Sequence, residues 1–186
     1  MQTITNIDFH LLNWIQEHLA CSFLDFFMSK ITFLGNKGLI WIVAAIIMMF
    51  FKKYRKTGVM IGAGLSAGAV IGNVLLKNLI ARERPCWINK SVQVLISIPQ
   101  DYSFPSGHTL SSFVAATIIM HSDRRMGIAA YVLAIMIAFS RLYLYVHFPT
   151  DVLTGALIGI VIGLIVCKLF DICQYNVEKH RDDCHI

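Results

Sequence analysis

Three short stretches of this chain hold side chains suited to handling a phosphate. Phe139 to Gly155 reads FSRLYLYVHFPTDVLTG and sets Arg141, His147 and Asp151 at the junction of two apolar runs. Lys77 to Pro85 reads KNLIARERP, and Ser103 to Thr109 reads SFPSGHT. Cations and histidines are costly at membrane depth, so their presence beside apolar runs points to a site. His147 and Asp151 are four positions apart. On helical backbone the carboxylate can reach one imidazole nitrogen, fixing the tautomer and leaving the other nitrogen as nucleophile or base. Pro149 interrupts continuous helix across that pair. Arg141 adds a cation six residues before His147. Lys77 and Arg84 are seven apart, about two helical turns, and share a face if the helix persists. Pro85 disfavours helix at Arg84. Two cations on one face suit a phosphate, although lysines and arginines near span ends also snorkel to lipid headgroups.

Ser106 and His108 stand at an expected helix start, flanked by Pro105 and Gly107. Free N–H groups at a helix N-terminus bind anions, helped by the positive end of the dipole. Ser106 can instead serve only as an N-cap. His108 is a poor structural choice in a first turn, where the dipole disfavours an imidazolium. Two histidines and an aspartate could also hold a metal ion. The cations of Lys77, Arg84 and Arg141 would repel it, so the expectation is a metal-free site with no cofactor. A serine-nucleophile hydrolase is not indicated, because no GxSxG elbow is present. His10, His18, His121, His180 and His185 have no partner pattern and read as surface or interface residues.

The elements that must carry these groups are membrane helices. The chain is 56% hydrophobic and 15% charged, against about 25% charged in soluble domains. Its mean hydropathy is +0.65. The net charge of +5 resides in loops and reads as orientation in the bilayer rather than nucleic-acid binding. The five cysteines have no CxxC spacing, so neither a disulfide framework nor a zinc site is expected. No cleavable signal peptide is expected in the first 30 residues.

The expected fold is all-α: a polytopic helix bundle, one domain over 1–186, with about five spans. Within 1–30, Ile7, Leu11, Ile15 and Leu19 recur every four residues, as in an amphipathic helix lying in the interface with Trp14 at headgroup depth. A sixth span there is the alternative. Spans are expected over Ile31–Phe51, Thr57–Ile80, Ser106–His121, Met126–Tyr145 and Thr150–Ile172, with a loop over 81–102 and a polar tail over 173–186. Gly64, Gly68 and Gly72, and again Gly155, Gly159 and Gly163, make ridges of small residues that let another helix approach closely. The basic clusters Lys52–Lys56 and Ser122–Arg125 mark the cytoplasmic side. Every candidate site residue then falls at the opposite, extracytoplasmic ends of the spans.

Lys77-x6-Arg84-Pro85, then Pro105-Ser106-Gly107-His108, then Ser140-Arg141-x5-His147-x3-Asp151 resembles the three-part signature of the type 2 phosphatidic acid phosphatase superfamily. All three parts are complete and in order, and the resemblance covers about residues 20–172. Many members have six spans, so the front of this chain resembles the shorter bacterial ones. The resemblance implies metal-independent hydrolysis of lipid phosphates or diphosphates. His147 would form a phosphohistidine, Asp151 would orient it, and His108 would protonate the leaving oxygen. Lys77, Arg84, Ser106, the Gly107 N–H and Arg141 would hold the phosphoryl oxygens. The expected partner is a lipid phosphate in a bacterial plasma membrane, undecaprenyl diphosphate first. Phosphatidylglycerol phosphate and phosphatidic acid follow. Transfer to a second lipid, or a non-catalytic lipid-binding or transport role, are the alternative functions.

Overall fold

The computed structural model describes residues 2–183, with side chains described over 5–176. The side chains of Lys179, His180 and Arg181, together with Cys184 and His185, lie outside the described residues. The described chain is helical and contains no strand. Its α-helices are α1 (Gln2–Leu19), α2 (Ser22–Leu34), α3 (Leu39–Phe50), α4 (Arg55–Gly68), α5 (Lys77–Ile80), α6 (Pro85–Ile88), α7 (Gly107–Ser122), α8 (Arg124–Tyr143) and α9 (Pro149–Asp183).

α7 is the axis of the bundle and packs against α4, α8 and α9. It has no polar face: Leu110, Val114, Ala115, Ala116, Ile118 and Ile119 are all buried. A helix apolar all round belongs inside a bundle. Both glycine ridges close on it. A Cβ on Gly64, Gly68 or Gly72 would meet α7 side chains at 2.6–2.7 Å. A Cβ on Gly159 would lie 2.6 Å from the Leu110 carbonyl. The expected close approach is thus found twice, on two sides of one helix.

Among the described residues, three segments are long and apolar enough to cross a membrane: Arg55–Ile88, Arg124–Tyr143 and Pro149–Asn176. The first expected span is instead a bent pair, Ser22–Leu34 with Asn36–Phe50, meeting at 42°. The bend falls at Gly35–Gly38, where Lys37 and Gly38 have φ of 51° and 69°. Residues 22–30 therefore belong to that pair and not to the interfacial helix. α7 has only 16 residues, about 24 Å of helix against a hydrocarbon core of about 30 Å. It is sheathed by neighbours, so its length need not match the lipid.

α1 also departs from expectation. Ile7, Leu11 and Trp14 are about half exposed, as on a lipid-facing side, whereas Leu12, Ile15 and Asp8 are buried against the bundle. The helix is docked, with Phe9 edge-on to Phe148. Lys77 and Arg84 do not share a helix face. The chain leaves the α-helix in a π-helical stretch over Ala69–Leu76, and α5 stops at Ile80 because Ala81 adopts φ 47°. Residues 81–84 are non-helical, and Pro85 opens α6 at its first position, where a missing N–H costs nothing.

Candidate active site

Backbone hydrogen bonds stitch the three chemical stretches together at one end of the bundle. Ser103 N–H donates to the Arg82 carbonyl at 2.8 Å, and Ser106 N–H to the Asp151 carbonyl at 3.1 Å. Between α8 and α9 the chain reverses through Tyr145, buried with φ 58°. A left-handed tyrosine is strained by about 1–3 kcal/mol. Its ring is anchored through its hydroxyl, which donates to Asn13 Oδ1 at 2.8 Å. That reversal carries His147 inward, where it is 1% exposed.

Arg84 is fully enclosed. Its Nε donates to the Asp101 carbonyl at 2.7 Å, Nη2 to Asp101 Oδ1 at 2.8 Å, and Nη1 to the Val146 carbonyl at 2.7 Å. Nη1 also stands 3.1 Å from His147 Nε2. A guanidinium only donates, so Nε2 accepts and the imidazole proton sits on Nδ1. Nδ1 faces Ser103 Oγ at 3.4 Å and Asp151 Oδ2 at 3.7 Å. The lone pair of Nε2 is therefore directed at the Arg84 guanidinium, on the cationic side of the ring. Burial, then the charges of Arg84 and Arg141, push this imidazole well below the ordinary histidine range.

The expected direct bond between His147 and Asp151 is thus long. The physical reason is that Asp151 sits at the third position of α9, which begins only at Pro149. From there Oδ2 reaches back to the Phe148 N–H at 3.0 Å, half of a capping box. Oδ2 also accepts from Ser103 Oγ at 2.5 Å, so Ser103 lies between the carboxylate and the imidazole.

Lys77 is buried and ion-paired to Asp101. Asp101 belongs to the loop before α7 and is more than half exposed. Burial alone would raise its carboxyl, but hydrogen bonds and charge from Lys77 and Arg84 outweigh that and hold it at about 2. Ser106 is fully buried and precedes α7, but its hydroxyl is not spent on capping: it accepts from Thr109 Oγ1 at 2.9 Å. Gly107 packs so tightly that a Cβ would lie 2.9 Å from Asn73 Oδ1. His108 Nε2 meets Asn36 Oδ1 at 3.0 Å, at the bend between α2 and α3. His108 lies within electrostatic reach of His147, Lys77, Arg84 and Arg141. Arg141 is 2% exposed; its Nη1 donates to Thr32 Oγ1 at 2.5 Å, while its Nε has no hydrogen-bond partner. Among the described residues no carboxylate forms an ion pair with Arg141.

A family model for the PAP2 superfamily matches residues 57–174. The chain belongs to the PAP2 superfamily. It is 33% identical over 152 residues to an undecaprenyl-diphosphatase of Sulfolobus acidocaldarius, covering 81% of this chain and 71% of that one. It is also 33% identical over 159 residues to phosphatidylglycerophosphatase B of Bacillus subtilis, covering 77% and 73%. The crystal structure of a PAP2-type phosphatidylglycerolphosphate phosphatase from Bacillus subtilis superposes with a TM-score of 0.75 at 28% identity, over 92% of this chain and 87% of that one. With this family and these relatives, the chain is a membrane-embedded lipid phosphatase.

All eight predicted residues of this PAP2 site lie at one end of the bundle. Sequence reasoning missed Asp8, Arg82, Ser103, Asp101, Asn36 and Thr32. Ser103 and Arg82 stood inside the quoted stretches, one beside PSGH and the other two positions before Arg84. Asp8, Asn36 and Thr32 come from the N-terminal segments, and no local pattern tied them to the site.

Proposed function

We propose that this PAP2-superfamily phosphatase hydrolyses a lipid diphosphate, undecaprenyl diphosphate first, at the extracytoplasmic face of a bacterial plasma membrane. The observation that carries the reading is Arg141: a buried guanidinium with no carboxylate ion pair among the described residues and an unsatisfied Nε. Leaving a charge buried and unpaired costs several kcal/mol, and a phosphoryl oxygen would satisfy it.

His147 Nε2 attacks phosphorus while the bond to the leaving oxygen breaks. His108 gives its proton to that oxygen, releasing the lipid monophosphate. Water, deprotonated by His108, then cleaves the P–N bond, yielding inorganic phosphate and free His147. Negative charge builds on the equatorial oxygens in both steps, where Lys77, Arg84, Arg141, the Ser106 hydroxyl and the Gly107 N–H stabilise it. No step calls for a metal ion.

The similarity to an undecaprenyl-diphosphatase supports the substrate choice. Phosphatidylglycerol phosphate is the second reading, favoured by the Bacillus subtilis relative and neighbour. The test is phosphate release from both lipids in detergent with EDTA present. Activity is expected to survive EDTA and to favour the diphosphate. His147→Ala should lose about 10³-fold or more, because a nucleophile acts as a unit with its partners. Loss of activity in EDTA that zinc restores would overturn the metal-free mechanism.

A further inference from the structure

Beside the candidate site is a second, part-buried charged cluster, built from α1, the residues after α5, and the first turn of α9. Asp8 is 1% exposed. An acid so deeply buried on an amphipathic helix is costly unless it is fully partnered. Its Oδ2 accepts from Arg82 Nη2 at 2.7 Å and from Thr150 Oγ1 at 2.6 Å, and its Oδ1 accepts from the Thr150 N–H at 3.1 Å. Arg82 spends its other terminal nitrogen on Asp151: Nη1 donates to Oδ1 at 2.6 Å and to Thr150 Oγ1 at 2.7 Å. The guanidinium also lies 3.9 Å over the Phe148 ring. One cation thus joins two carboxylates, one from α1 and one from the site.

We infer that Asp8, acting through Arg82, is a positioning residue for Asp151, so that the N-terminal helix is part of the catalytic apparatus. This rests on the reading that Asp151 orients His147. Asp8 holds half of the Arg82 fork. Asp151 consequently receives only one arm, on Oδ1. Its Oδ2 stays with Ser103, the Phe148 N–H and the His147 side of the site. Without the Asp8 charge, Arg82 can engage both oxygens of Asp151, the arrangement guanidinium and carboxylate prefer. Oδ2 would then leave the imidazole side, and the field holding the Nδ1 proton would weaken. The bonds of Asp8 go to Arg82 and Thr150, neither of which is a cup residue, so phosphate binding should be spared.

The experiment is a double-mutant cycle of Asp8→Asn and Asp151→Asn, with kcat and KM measured separately and histidine ¹⁵N spectra recorded on each protein. Asp8→Asn is expected to lower kcat about 10- to 100-fold, the scale of a small misplacement at a reacting group. KM should move less than about twofold. In the Asp151→Asn background the same change should cost nothing further, because the two act in series. The His147 nitrogens should lose their single Nδ1–H tautomer in Asp8→Asn. A parallel change in kcat and KM, no change at all, or an undiminished loss in the Asp151→Asn background would overturn the assignment. Arg82→Lys keeps a cation but cannot bridge two carboxylates; it carries the same expectation if Asp8→Asn does not fold. If the wild-type protein releases no phosphate, the phosphatase reading fails alone, and the tautomer spectra still decide the role of Asp8.

Discussion

The nucleophilic role proposed for His147 requires an uncharged imidazole. Its burial between Arg84 and Arg141 keeps it so, well below the usual 6.5. The sign for stability follows from proton counting. Below about pH 6.5 the unfolded chain binds a proton here that the folded chain refuses, so stability falls as pH drops below that value. Thermal unfolding in detergent should therefore move to lower temperature between pH 7 and 5, and His147→Gln should flatten the slope. Arg141 makes a separate prediction. Arg141→Lys retains charge but loses the planar fork that, on the proposed mechanism, reaches several phosphoryl oxygens. KM should rise about tenfold or more, equivalent to about 1.4 kcal/mol of binding, with the fold intact by circular dichroism.

At the scale of elements, the glycine ridges decide how closely α7 is gripped. Gly159→Ala would put a methyl 2.6 Å from the Leu110 carbonyl and 2.9 Å from Phe113 Cβ. Neither the Leu110 backbone nor the Cβ of Phe113, fixed to its own helix backbone, can yield cheaply, so a loss of about 1–3 kcal/mol is expected. Gly62 faces open space, with nothing within 4 Å of a new Cβ, and Gly62→Ala should be neutral or slightly stabilising. Unfolding of both variants under one detergent condition checks the pair. These ridges were legible because their four-residue spacing is a local property of sequence. The breaks were not. Ala81 ends α5 with an αL turn although alanine favours helix, and it does so because Arg84 is drawn to Asp101 and Val146 across the fold. His147 and Asp151 were legible as a pair by number, yet their true relation passes through Ser103 and a helix cap that spacing alone does not reveal.

Across the whole molecule, charged groups gather at both ends of the bundle. Lys56 and His121 pair with Asp171 at one end, beside the basic loop 52–56. The cationic cup of Lys77, Arg84 and Arg141 lies at the other. A membrane-impermeant maleimide applied to intact cells should label Ser91→Cys and not Lys53→Cys, once the chain's other exposed cysteines are removed. Cys86 is a poor reporter because it is only 5% exposed. The reverse labelling would put the cup on the cytoplasmic side. The overall architecture and the gathering of eight residues were legible, since hydrophobic runs and loop charges set which ends meet. The role of α1 was not. Its periodicity described an interfacial helix, whereas the placement of Asp8 is settled by a guanidinium 74 positions along the chain.

The loop acid Asp101 already bridges Lys77 and Arg84. One pair of ammonium and guanidinium groups cannot fully serve two anions, so on the proposed mechanism an incoming phosphate must evict a tenant carboxylate instead of filling an empty seat. Entry is then a swap, and the resting enzyme competes with its own substrate. Asp101→Asn should lower KM by vacating the place, and the freed segment should become more open to proteases once phosphate is added to the wild-type protein.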